Sequence, residues 1–321
     1  SIDTYDPLSN YVYGLANTRT GKNTEAKSGL SIASHDPSNR PAAYLELAKI
    51  FIRENNPLKA KEYASKSIDF NRHNIAAYEI LLYAESLSGS NKAINKYADI
   101  ILELDPLSDF ARFELSRASR SGREEFVKGI SNEFPFESYM DLAMKYYSYG
   151  DIETALEVLK LSPEHMIVSL WIAYLDNKTE ELADILGSSE ASVFPHRVET
   201  AAMLRDLIKV NDSWLLKYYL GLIYWNKGLV KEAKELFDLC GEDPGKYWFW
   251  LARAKLFNDE SIKEEALNKA YKIEPDNWRT VVELSSLLVD KGMASKAVQL
   301  CSVLEPATSE NTRLGLTYAR A

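Results

Sequence analysis

Residues 213–240 read SWLLKYYLGLIYWNKGLVKEAKELFDLC, and the spacing inside this stretch decides the fold. Leu220, Gly221 and Tyr224 stand at i, i+1 and i+4, which puts a large, a small and an aromatic side chain on one helical face. Gly228 followed by Leu229 interrupts that period and predicts a tight turn. Ala233, Phe237 and Cys240 then recur at i, i+4 and i+7, the apolar stripe of a second helix. The small residues Gly221 and Ala233 predict a close approach of the two helices, with Tyr224 and Phe237 filling the seam.

The same spacing extends in both directions. Upstream, Gly14, Gly21, Ala26, Leu30 and Ala33 fit one unit, and Tyr44, Leu47, Ala48, Phe51, Asn55, Ala60 and Ala64 the next. Tyr78 follows Tyr44 by 34 residues, and Ala93, Tyr97 and Ile100 complete that unit before Asp105-Pro106. Tyr139, Leu142, Ala143, Tyr146, Gly150, Ala155 and Leu159 fit again. Downstream come Trp248, Leu251, Ala252, Leu267 and Ala270, then Leu284, Leu288, Gly292, Ala297 and Cys301. Turns are predicted at Gly21, Asn55, Gly89, Gly150, Gly228 and Gly292, with a further short turn at Gly122-Arg123. This pattern resembles the tetratricopeptide repeat, whose period is about 34 residues. The resemblance implies an all-α fold, a right-handed superhelical array of antiparallel helix pairs. The expected organisation is one continuous array over residues 1–321, irregular at 107–135 and 164–196, with a linker from Gly187 to Pro195.

Bulk composition narrows the function classes. The 321 residues carry a formal charge of −9, and no stripe of Lys and Arg is visible, so a nucleic-acid partner is not expected. No apolar run approaches the ~20 residues of a membrane span. The two cysteines, Cys240 and Cys301, sit at apolar helix positions and are expected to be buried thiols; their scarcity fits a reducing, cytoplasmic compartment rather than a periplasmic one. The chain begins at Ser1 in mid-repeat style and is read as a piece of a longer protein.

Motifs that carry chemistry are sparse. His35, His73, His165 and His196 are scattered, with no i, i+3 or i, i+4 pair to present two metal ligands from one helix. Glu124-Glu125, Glu180-Glu181 and Glu264-Glu265 are expected to open helices, where negative charge complements the helix dipole. No phosphate-cradling glycine loop, nucleophile elbow or zinc-type cysteine pair occurs. The expectation is a chain without enzymatic activity, cofactor or metal.

A narrower resemblance rests on Asp105-Pro106-Leu107 with Phe110-Ala111-Arg112-Phe113, on Asn132-Glu133-Phe134-Pro135, and on Asp276-Asn277-Trp278-Arg279. With Phe194-Pro195-His196-Arg197 and Tyr218-Tyr219-Leu220-Gly221, these resemble the C-terminal repeat region of a bacterial family of unknown function. There the repeats follow a β-sandwich similar to galactose mutarotases. Three readings follow: a protein-interaction scaffold that binds a peptide, helix or domain in its concave groove; the accessory half of a carbohydrate-active protein, contacting a glycan or its own missing N-terminal domain; or a self-associating structural element. In tetratricopeptide arrays the first helix of each unit lines the groove. Carried onto this sequence, that rule picks Met140, Met144 and Tyr147, then Tyr218, Leu222 and Trp225, then Phe249, Arg253 and Phe257. Met144, Tyr147, Tyr218, Leu222, Trp225, Phe249 and Arg253 are the candidate partner-binding residues, with Trp225 and Phe249 as anchors. The alternative left open is that neighbouring first helices bury these side chains against one another.

Overall fold

A computed structural model describes residues 5–117, 120–187, 193–242, 244–302, 304 and 312–320. Among the described residues the regular structure is entirely helical. The chain divides into two compact units, Ser1–Val168 and Ser169–Ala321.

The first unit contains α1 (Pro7–Arg19), α2 (Asn23–Ala33), α3 (Arg40–Arg53), α4 (Pro57–Phe70), α5 (Ile75–Ser88), α6 (Asn91–Leu104), α7 (Asp109–Ser116), α8 (Arg120–Gly129), α9 (Pro135–Tyr149) and α10 (Ile152–Leu159). Consecutive helices pack as antiparallel pairs: α1 with α2, α3 with α4, α5 with α6, α7 with α8 and α9 with α10. The boundary between units falls within α11 (Met166–Leu175). The second unit continues with a 3-10 turn at Thr179–Glu181, α12 (Leu182–Gly187), α13 (Val198–Val210), α14 (Trp214–Asn226), α15 (Val230–Asp238), α16 (Tyr247–Leu256), α17 (Glu260–Ile273), α18 (Trp278–Asp290), α19 (Ala294–Ser302) and α20 (Thr312–Arg320). Here α14 pairs with α15, α16 with α17 and α18 with α19.

Local chemistry explains where these helices begin and end. Pro7, Pro57 and Pro135 occupy the first turn, where a missing N–H costs no helical hydrogen bond. Side chains of Asp6, Asn56, Ser108, Asp151, Ser213, Asp259 and Asn277 cap their helices by accepting from a first-turn N–H. All six expected turn positions have positive φ, from 54° at Asn55 to 84° at Gly150. At Gly228 the φ of 79° is a left-handed conformation that a Cβ would strain, and the next residue's N–H closes the turn onto the Tyr224 carbonyl.

The close approach expected in the 213–240 pair is also present. A Cβ on Gly221 would lie 2.9 Å from two ring carbons of Phe237, and Ala233 is completely buried. Cys240 and Cys301 are buried free thiols.

The Gly122-Arg123 turn is not formed: both residues lie inside α8. Tertiary contacts override the glycine there. Phe126 packs on Phe113 at 5.3 Å, and the Arg123 guanidinium lies 4.4 Å from the Phe113 ring while pairing with Glu157 at 2.5 Å. Glu124-Glu125 accordingly falls mid-helix, and Glu264-Glu265 lies past the first turn of α17. The expected linker falls partly outside the described residues, at 188–192.

Candidate functional site

Within the first unit, α3, α5, α7 and α9 pack on each other as well as on their paired helices. Their facing sides carry rings. Phe110 stacks on Tyr146 at 5.4 Å, Tyr83 lies 5.1 Å from Tyr149, and Phe113 lies 5.6 Å from Tyr146. Pairs of this kind contribute about 0.5–1.5 kcal/mol each beyond their buried area. Met140 and Met144 are buried and Tyr147 is half-buried. The first helices of this unit thus fill the space between them with their own side chains. A polar hollow of about 410 Å³ remains beside Arg53, Tyr83, Arg117 and Asp151. Its charges are largely committed: Arg117 pairs with Glu114 at 3.4 Å, and Tyr83 donates to Asp151 at 2.9 Å.

The second unit is built differently. An aromatic core fastens α14 to α16: Tyr218 lies 5.0 Å from Trp248 and 5.5 Å from Phe249, and Phe237 stacks on Phe249 at 5.5 Å. Trp214 adds contacts to Trp248 at 5.7 Å and Phe249 at 5.8 Å. Beside that core, with Trp248 belonging to both, the same helices open a cleft of about 640 Å³, the size of a small-ligand or side-chain pocket. Its α14 wall presents Leu222, Trp225 and Asn226, spaced i, i+3 and i+4. The α16 wall presents Tyr247, Trp248, Leu251, Ala252 and Lys255, and Arg279 enters from the first turn of α18. Phe194, Pro195 and His196, just before α13, complete the rim, with Phe194 exposed.

Of the residues expected in a groove, Leu222 and Trp225 line this cleft. Tyr218 and Phe249 do not. They are 1% and 0% exposed and form the ring core behind it, which corrects the expectation that Phe249 anchors a partner. Phe249 is turned about 100° from Trp248, its neighbour in the cleft lining, while Tyr218 shares the stripe of Leu222 and Trp225 but sits one turn earlier, where the rings close over it. Arg253 also faces elsewhere, pairing with Asp238 at the end of α15 at 2.7 Å and lying 4.4 Å from the Phe257 ring. The lining residues not expected from the sequence are Phe194, Pro195, His196, Asn226, Tyr247, Trp248, Leu251, Ala252, Lys255 and Arg279. The density of Tyr247-Trp248-Phe249-Trp250 was a usable signal for part of them. Ala252 and Lys255, neither aromatic, carried none.

The cleft is apolar at its floor and cationic at its edge. Lys255 and Arg279 are its charged lining residues, and no carboxylate lines it. Lys255 lies 3.7 Å from Glu283, and the Arg279 guanidinium lies 4.7 Å from the Trp278 ring. Among the described residues, no group of three or more His, Cys, Asp or Glu is placed to hold a metal ion, and no helix is long and apolar enough to cross a membrane. His35, His73 and His196 are exposed; His165 stacks on Phe136 at 3.7 Å, and burial lowers its pKa.

No family model matches the chain, and no curated protein matches it. Solved structures similar to it include a tetratricopeptide repeat protein from Parabacteroides merdae ATCC 43184, at 11% identity over 88% of this chain and 98% of that one, TM-score 0.31. The tetratricopeptide domain of P58(IPK) is 13% identical over 98% and 97% of the two chains, TM-score 0.30. Yeast Tom70 is 13% identical over 98% and 80%, TM-score 0.32. Likeness at this level carries no argument about function, and the all-α repeat fold described above rests on the helices of this chain.

Proposed function

We propose that this chain is a protein-interaction module whose second unit binds a segment of a partner protein in the cleft between α14 and α16. The observation that carries this reading is the cleft itself. Leu222, Trp225, Tyr247, Trp248 and Leu251 converge on about 640 Å³ of open space, while the neighbouring rings Tyr218 and Phe249 are consumed by the core. Half-buried aromatic side chains beside an apolar floor are what interface hot spots are made of. In the first unit the equivalent helices close on themselves, so the binding role falls to the second.

The test uses the full chain as bait in extract of the source cells, comparing wild type with Trp225→Ala. Trp225 is half-buried, so its truncation should leave the fold intact and weaken capture of a discrete protein by about 2 kcal/mol or more. Equal capture by both proteins, or unfolding of Trp225→Ala, would overturn the assignment. Retention of an oligosaccharide on a glycan array, lost in Trp225→Ala, would favour the carbohydrate-linked alternative.

A further inference from the structure

We infer that the segment this cleft accepts is acidic: apolar side chains seated between Trp225 and Trp248, and a carboxylate beside them held by Arg279. The inference rests on the cleft being the docking site and adds the partner's charge. It starts from an imbalance. The chain as a whole carries −9, yet the charged lining residues of this cleft, Lys255 and Arg279, are both cations.

Arg279 is also uncommitted in a way its neighbours are not. In the same unit Arg253 pairs with Asp238, Lys269 with Glu265, and Lys291 with Glu260. Arg279 is exposed and has no ion-pair or hydrogen-bond partner among the described residues; its contact is the Trp278 ring at 4.7 Å. A guanidinium over an indole face keeps its edge N–H donors free, and that edge matches a carboxylate bidentately. Lys255, loosely held by Glu283 at 3.7 Å, supplies a second positive charge on the neighbouring helix. A basic segment entering the same space would set its charges against both.

The distribution of charge also says how selection works. The net negative chain does not steer an acidic partner from a distance, so the preference resides in contacts made after encounter. It should appear mainly in the dissociation rate.

The experiment selects phage-displayed random twelve-residue peptides on the full chain and measures a synthesised binder by fluorescence polarisation and stopped flow. The expected peptides carry Leu, Phe or Trp beside Asp or Glu. Replacing those acids by Asn or Gln, or making Arg279→Gln in the protein, should each weaken Kd at least tenfold, mostly through faster dissociation. Combining the two should cost little more than either alone. Unchanged tryptophan-detected melting of Arg279→Gln separates this from misfolding. Peptides without acidic residues, or a Kd within twofold in Arg279→Gln, overturn the charge inference. If such peptides still lose affinity in Trp225→Ala, the cleft stands as the docking site. If they do not, or if no peptide is selected, both readings fall.

Discussion

Replacing Gly221 by Ala sets two effects against each other at one atom. In an isolated helix the change stabilises by about 1 kcal/mol. Here the new Cβ would sit 2.9 Å from Cδ2 and Cε2 of Phe237. That ring is fully buried, stacked on Phe249 at an interplanar angle of 18° and packed on Tyr218 at 5.4 Å, so it has no room to retreat. Overpacking of this kind costs about 1–3 kcal/mol and outweighs the propensity, for a net loss of about 1 kcal/mol. All six tryptophans, from Trp171 to Trp278, lie in the second unit, so tryptophan fluorescence reports the melting of the unit that holds Gly221. The expected fall in Tm is about 2–4 °C. In a Phe237→Leu background the obstructing ring edge is gone, and Gly221→Ala should instead stabilise by up to about 1 kcal/mol. A higher Tm for Gly221→Ala in the wild-type background would refute the close approach of α14 and α15.

Tyr146→Phe removes the hydroxyl that donates to the buried Glu114 carboxylate and should cost about 1–3 kcal/mol at pH 7, measured by urea denaturation followed by circular dichroism. Burial raises the Glu114 pKa and the Tyr146 bond opposes that rise. Glu114 therefore favours folding most below its unfolded pKa, loses that contribution as pH rises through the folded one, and the penalty of Tyr146→Phe should shrink near pH 4. Asp259→Ala deletes the acceptor for the Ile262 N–H at 3.0 Å and should destabilise by about 1 kcal/mol, with Asp259→Ser restoring most of it in the same melt. Burial pushes the Cys240 thiol up to about 12, so native protein at pH 8 should react with a disulfide reagent no faster than the second unit opens; prompt labelling would contradict the burial.

The order and type of the helices were written in local spacing. Alternating large, small and aromatic positions, proline at first turns and glycine or asparagine at turns act within a few residues of themselves. They lead to the same antiparallel pairs whatever surrounds them. Where a neighbour intervened, local reading failed: Phe113 and Glu157 hold Arg123 and carry α8 through Gly122. The candidate site divides along the same line. Leu222 and Trp225 were legible because helical periodicity places them one turn apart, on a stripe offset by one position from the packing set of Gly221 and Tyr224. That Phe249 would turn into the core and Arg253 toward Asp238 depends on how α16 is rotated against α14 and α15, which ring packing sets. The remaining walls of the cleft come from Phe194 and Arg279, 31 residues before and 54 residues after Trp225. No local pattern relates such distant positions; the packing of successive helix pairs brings them to one opening.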